Sequence, residues 1–253
     1  MTNVSNYPVS LSKRVLAFLW QHVLLIASLY LMTLGVALCV RSNLGSSVIS
    51  AIPLAFTFAG EEAMASAFTL GGYTNIMNVI LVVCQIIVLR RRFQFVQLLQ
   101  LVIGFLFGAL IDLNMFLTSS LPVDGLLSQA LAQFFGCVVM AVGIAFEVRC
   151  GSVTMPGEGI SVAFSRAFKA PFPKVKIIVD TSLVVIAVIC CYSFWGAWQW
   201  NIIGPGTLFA MFFVGYMVRL LSPHMLWFDE MVARPGFRRY IFGLARYAYR
   251  RIR

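Results

Sequence analysis

Acidic residues are scarce: nine Asp and Glu stand against 19 Lys and Arg in a chain of 253 residues. Charge of either sign amounts to 11% of the chain, where soluble domains carry roughly 25%. With 60% of residues hydrophobic, there is too little polar surface to coat a water-soluble core of this size. Motifs that carry chemistry are missing as well. There is no H-E-x-x-H, no Walker phosphate loop, no G-x-S-x-G and no C-x-x-C. Five of the six cysteines lie inside apolar segments, Cys150 being the exception, so they read as small packing residues and not as a disulfide framework or metal site. His22 and His224 have no second ligand at metal spacing. The expectation is a protein without enzymatic activity, cofactor or metal.

What the chain has instead is long unbroken apolar runs, which point to an all-α polytopic membrane protein. A membrane barrel would show alternating segments of about ten residues. Six full spans can be drawn, over 16–40, 73–89, 95–117, 126–148, 175–195 and 203–221. Two apolar pieces, 45–59 and 158–169, are too short to cross alone and suit re-entrant or half-membrane helices. Lys13 and Arg14 precede the first run in the manner of a signal peptide, but no clean cleavage site follows, and this run reads as a retained first span.

The net charge of +10 fits the positive-inside rule better than nucleic-acid binding, which is not expected. With the N-terminus inside, Arg90–Arg92, Arg149, Arg166, Lys169, Lys174, Lys176, Arg219 and the C-terminal tail all fall on the cytoplasmic side, and Arg41 alone faces out. Glu61, Glu62 and Asp124 fall outside, and SFWGAWQW (193–200) falls at the outer boundary, where tryptophan prefers to sit. The expected location is the bacterial inner membrane, with both termini cytoplasmic.

The sequence repeats. At an offset of 108, TLGVALCVR (33–41) lies over AVGIAFEVR (141–149), which matches Gly35 to Gly143 and Arg41 to Arg149. Each arginine is followed by a Gly/Ser-rich break, a short apolar piece and two spans, with Asn78 opposite Asp180 and Asp112 opposite Arg219. Three spans per copy is an odd number, so the second copy inserts upside down. That makes two inverted-topology repeats, a pattern of transporters and channels. The expected organisation is a cytoplasmic N-terminus (1–14), a first repeat (15–118), an inverted second repeat (123–222) and a basic amphipathic tail (223–253). In the tail, Phe237, Ile241, Leu244 and Ala248 recur at helical spacing between arginines, a pattern suited to anionic lipid.

The order of span, Val-Arg, broken loop with SNLG (42–45), half helix and two spans, given twice, resembles the YitT/YczE-like family of bacterial integral membrane proteins over about residues 15–222. The Pro-Trp pair usual after the first break is replaced here by Ser46-Ser47-Val48. The resemblance implies the fold and the membrane class and names no substrate.

Ionisable groups inside a bilayer are costly and usually face a cavity or a partner. Arg41 and Arg149 end the two matching helices, where an arginine fork can join the free N–H groups of the next half helix in holding an anion. Each can equally mark a membrane boundary. Glu158, in P-G-E-G, is a candidate gate or proton carrier, or a helix cap. Ser46, Thr154 and Asn78 are candidates to line a polar path, or to satisfy freed backbone. Asp180, two turns into its span, is the coupling candidate, with a structural bond to Lys174 or Lys176 as the alternative. The leading expectation is a transporter or facilitator for a small polar, anionic or amphiphilic organic solute, bound between the two broken loops. The alternatives are a channel, an accessory or assembly protein without transport activity, and a substrate-binding subunit of an importer. Self-association is left open.

Overall fold

The computed structural model describes residues 11–62, 68–150, 155–225 and 228. Its helices are α1 (Leu11–Arg41), α2 (Val48–Glu62), α3 (Leu70–Leu89), α4 (Leu99–Leu117), α5 (Leu126–Cys150), α6 (Pro156–Phe168), α7 (Phe172–Trp195) and α8 (Pro205–Leu221), with 3₁₀ turns at Arg90–Arg92, Phe95–Leu98 and Ser222–His224. No strand occurs among the described residues. Leu19–Arg41, Leu70–Arg92, Phe95–Leu117, Leu126–Cys150 and Lys174–Trp195 are long and apolar enough to cross a bilayer. Large apolar side chains such as Ile87, Val102, Phe105, Ile178 and Ile189 point outward from them. The protein is a multi-pass α-helical membrane protein. Among the described residues five helices are full-length spans where the sequence suggests six, because α8 begins only at Pro205, behind the turn of residues 196–204, and keeps 17 residues, about 26 Å at 1.5 Å per residue. The half helices α2 and α6 have 15 and 13 residues. Residues 1–10, Thr154 and nearly all of the basic tail lie outside the described residues.

The fold is organised by an antiparallel crossing of α1 and α5, the most extensive helix pair in the molecule. Glycine makes the close approach feasible. A methyl group added at Gly35 would sit 2.6 Å from the carbonyl of Gly136 and 2.7 Å from Met140. One added at Gly143 would sit 2.6 Å from Met32 and 2.9 Å from the carbonyl of Ser28. These contacts are reciprocal. Shifted by the 108-residue offset, Gly35 becomes Gly143, Met32 becomes Met140 and Ser28 becomes Gly136. Residue i of one helix touches j of the other while the counterpart of j touches the counterpart of i, as two-fold related elements do. Between apolar helices in lipid there is no hydrophobic gain from association, so packing of small residues drives it.

The remaining helices obey the same relation. α4 packs on α1 as α8 packs on α5. α6 packs on α3 as α2 packs on α7, and α2 touches α3 as α6 touches α7. The halves are therefore interleaved, each half helix lying against a span of the other repeat. One pair breaks the rule: α3 and α4 pack closely, whereas α7 and α8 barely touch. The ends of the bundle differ in charge. Arg90–Arg92, Lys169, Lys174 and Arg219 lie at the end where α5 terminates, called here the basic end. Glu61, Glu62 and the tryptophans Trp195, Trp198 and Trp200 lie at the other, called the acidic end. The break after α1 is built from Asn43 (φ 54°) and Gly45 (φ 113°). Leu44 then accepts from Gly206 N–H at 2.7 Å, and Ser46 N–H donates to Ile202 at 3.0 Å, which fastens the break to the start of α8.

The reciprocal crossing carries a prediction. Gly35→Ala and Gly143→Ala are expected to destabilise the fold by similar amounts, about 1–3 kcal/mol each from overpacking. Gly215→Ala, where an added methyl meets nothing within 4 Å, should melt with the parent. Thermal melts in detergent check this; equal stability of all three variants would refute the crossing.

Candidate functional site

The two half helices start next to each other. A methyl group at Gly157, in the first turn of α6, would lie 2.7 Å from Ile49 Cδ1 in the first turn of α2. Ile49 and Gly157 are themselves 108 residues apart, so this contact lies on the pseudo-two-fold axis. Val48, Ile160, Met77, Leu81, Val175, Val179 and Leu183 form one buried apolar cluster around it. Two helix N-termini, each a partial positive charge with free N–H groups, therefore converge inside the bundle. Pro53, buried within α2, has no N–H and so removes the i+4 donor of the Ile49 carbonyl. Backbone polar groups are thus exposed at the junction.

The two N-termini are treated differently. α2 has no acidic residue in its first turn; Ser47 and Ser50 lie there, buried, their hydroxyls bonded to each other. α6 is acidic. Glu147 of α5 reaches across the break and accepts the N–H of Met155, the residue that caps α6, at 3.1 Å. Glu158 lies in the first turn of α6, within electrostatic range of Glu147, Lys176 and Asp180. The second oxygen of Glu147 and the hydroxyl of Ser161 are buried without a hydrogen-bond partner. Beside them, the amides of Gln85 (α3) and Gln100 (α4) bond reciprocally at 3.2 and 3.0 Å, and Gln85 also donates to the Pro156 carbonyl at 3.2 Å. Gly159 lets α6 pass these amides, since a methyl there would lie 2.6 Å from Gln100 Oε1.

The residues expected to form the site are distributed as follows. Arg41 donates to the Met115 carbonyl at 2.8 Å, at the end of α4. Arg149 donates to the Met225 carbonyl at 3.4 Å, just beyond α8. Each arginine thus holds the end of the last long helix of its own repeat, where the helix dipole favours a cation. The two are far apart. Ser42, next to Arg41, bonds Gln133 at 2.8 Å, and Gln133 is 16 residues from Arg149 along α5, about 24 Å. The structure does not bring both arginines to one small solute. Ser46 is buried and bonded to Ile202. Asn78 is buried against Gly104 of α4, its amide 3.4 Å from the carbonyl. Asp180 is paired with Lys176 at 2.9 Å, one turn away on the same helix. Glu158 alone of these stands at the half-helix junction with no cation within ion-pair distance among the described residues. Asp112 accepts from Gly71 N–H at 2.8 Å and Thr69 Oγ1 at 2.6 Å and so caps α3.

At the acidic end a cavity of about 190 Å³ is lined by Phe58, Glu61, Glu62, Trp195, Gln199, Asn201 and Ile202. The Trp195 indole N–H donates to Glu62. Ligand pockets for drug-sized molecules run to about 300–1,000 Å³, so this recess admits only a small group.

Sequence reasoning missed the buried amides. Gln85, Gln100, Gln133 and Asn114 sit in apolar spans, and each bonds another helix: Gln133 donates to the Gly206 carbonyl at 2.8 Å, Asn114 to Thr33 at 2.8 Å. A glutamine inside an apolar run signals that a partner exists, but not which one.

An all-helical bundle with two half helices and five described helices long and apolar enough to cross a bilayer defines a polytopic membrane protein. Residues 19–223 match the model of a family of unknown function, DUF6198, and the chain belongs to that family. It is also similar to the uncharacterized protein YyaS of Bacillus subtilis (strain 168), with 24% identity over 194 residues, covering 76% of this chain and 88% of that one. No solved structure matches the chain. The likeness to the YitT/YczE-like family rests on the sequence pattern alone.

The amide pair is testable. Gln85→Leu or Gln100→Leu alone leaves a buried amide unpaired and should cost about 1–3 kcal/mol. The double variant should recover part of that loss, and melts of the four proteins give the coupling; additive losses would mean that the amides do not depend on each other.

Proposed function

We propose that this protein is a transporter or facilitator for a small polar organic solute, anionic or amphiphilic, with its site at the junction of the two half helices. One observation carries the reading: two half-helix N-termini, related by an inverted repeat, start side by side on the pseudo-two-fold axis inside the bundle. Discontinuous helices at a repeat interface are how membrane carriers bind substrate, because their ends present unpaired backbone groups that a continuous helix lacks. The site is divided by charge. The N-terminus of α2, with Ser46, Ser47 and Ser50 and no acid, suits a carboxylate or another acceptor-rich group. The N-terminus of α6 is already occupied by Glu147 and flanked by Glu158, which suits a donor or a cation. A solute bearing both kinds of group spans the two. Arg41 and Arg149 serve at the helix ends they hold, as latches of the two repeats. Asn78 lines the α3–α4 seam beside the site, and Thr154 belongs to the second break. The basic end is the cytoplasmic one, consistent with the positive-inside rule. Nothing in the sequence provides for ATP, so movement is driven by an ion gradient or by the solute gradient itself.

Purified protein in detergent, melted against a panel of small organic anions, zwitterions and amphiphiles, tests the reading. A ligand at a hundred times its Kd adds about 2.7 kcal/mol to the folded state, a resolvable shift. The expected result is a shift with one class, reduced by Ser50→Ala and Glu158→Gln, and saturable uptake of that solute into proteoliposomes. A melting temperature unmoved by the whole panel, with no uptake, would favour an accessory role.

A further inference from the structure

Glu147 is the group that the fold explains least. It sits on a spanning helix and is 4% exposed. One oxygen accepts the Met155 N–H and the other is enclosed with no partner. Among the described residues no cation stands within ion-pair distance of it. The charged and titratable groups around it come from several elements. Its own helix carries Arg149, which donates to the Met225 carbonyl, and the buried thiol of Cys150. α6 carries Glu158 and Arg166, and α7 carries Lys176 and Asp180, already paired with each other. α1 contributes His22 next to Gln21, whose amide donates to the Cys150 carbonyl. α8 contributes the exposed Arg219, and α3 and α4 only the neutral amides of Gln85 and Gln100.

The energies can be compared. A buried ion without a counter-charge is penalised by several kcal/mol, and a second carboxylate in range adds to that. The dipole of α6 returns at most about 2 kcal/mol. Burial therefore outweighs the dipole. A bound metal would relieve the charge only with more ligands than the site has. Calcium takes six to eight oxygens, and no described cluster of three or more ligands exists.

We infer that Glu147 is a proton-binding site, with the carboxyl of Glu158 as its neighbour at the start of α6. The proton adds to the enclosed oxygen, and no other bond is made or broken. The first oxygen still accepts from Met155, but that bond changes from charge-assisted to neutral, which weakens it roughly twofold. Binding a proton therefore loosens the hold of α5 on the start of α6, the half helix at the junction. This gives a proton a mechanical effect on the site. Its use as the coupling step, in place of Asp180, rests on the transport reading; the proton site does not.

The test is infrared difference spectroscopy of the full chain in detergent as pH is varied. The expected result is a protonated-carboxyl carbonyl band that disappears as pH rises. It should be lost in Glu147→Gln, kept in Asp180→Asn and shifted to a lower titration midpoint in Glu158→Gln. Gln keeps an acceptor for Met155, so Glu147→Gln should melt no lower than the parent. A band that survives Glu147→Gln, or that fails to titrate anywhere the protein stays folded, overturns the proposal. A midpoint unmoved by Glu158→Gln overturns the interaction between the two carboxyls. The infrared result stands whether or not any solute is transported. Proteoliposome uptake of a solute found by thermal shift, with and without a pH gradient, separately decides coupling: gradient-driven uptake that is intact in Glu147→Gln overturns that role.

Discussion

The structure depends on one contact, the crossing of α1 and α5 through Gly35 and Gly143. Each glycine admits the methionine of the opposite helix and the backbone of its neighbour. That closeness sets the two-fold relation from which the other pairings follow. With α1 and α5 antiparallel and in contact, each arginine at their far ends lies beside the last long helix of its own repeat. The half helices that follow the two breaks begin next to each other. In lipid an apolar face has no reason to choose one apolar partner over another. The choice here is made by shape at two glycines and by a few buried hydrogen bonds.

Those bonds occur where backbone continuity is lost. Ser42 and Gln133 join the first break to α5, and Gln133 continues to the Gly206 carbonyl at the start of α8. Gln85 holds the carbonyl of Pro156 at the start of α6. A break in a membrane helix leaves donors and acceptors that water cannot reach, and each amide supplies both a donor and an acceptor. The carboxylate of Glu147 does the same work for Met155 but brings a charge with it, which is why it stands out from the amides around it.

Much of this is legible in the sequence. The ends of the long helices are marked by arginine followed by glycine and serine, and the half helices by apolar pieces too short to cross. The offset that aligns Gly35 with Gly143 is the one that relates their contacts. The pairing of Asp180 with Lys176 follows from their spacing of one turn. Other features could not be read. Which glutamine meets which depends on how spans are arranged, and every apolar span resembles every other. The docking of the turn before α8 onto the first break is a contact between backbones, which side-chain patterns do not encode. The short α8 looked like a full span because its apolar run continues into that turn.

The two repeats pack alike except in one pair, and glycine again explains the difference. Gly71, Gly104 and Gly108 lie in the α3–α4 seam, where added methyl groups would strike the Gly108 carbonyl, Asn78 and Asn75 at 2.0, 3.0 and 2.3 Å. Gly215 on α8 meets nothing within 4 Å. The first repeat therefore has a close α3–α4 seam, which α7 and α8 do not reproduce. α7 also carries Lys176 and Asp180, and α6 and Glu158 pack beside it. The charges near the junction thus lie between α3 of that seam and α7 of the second repeat.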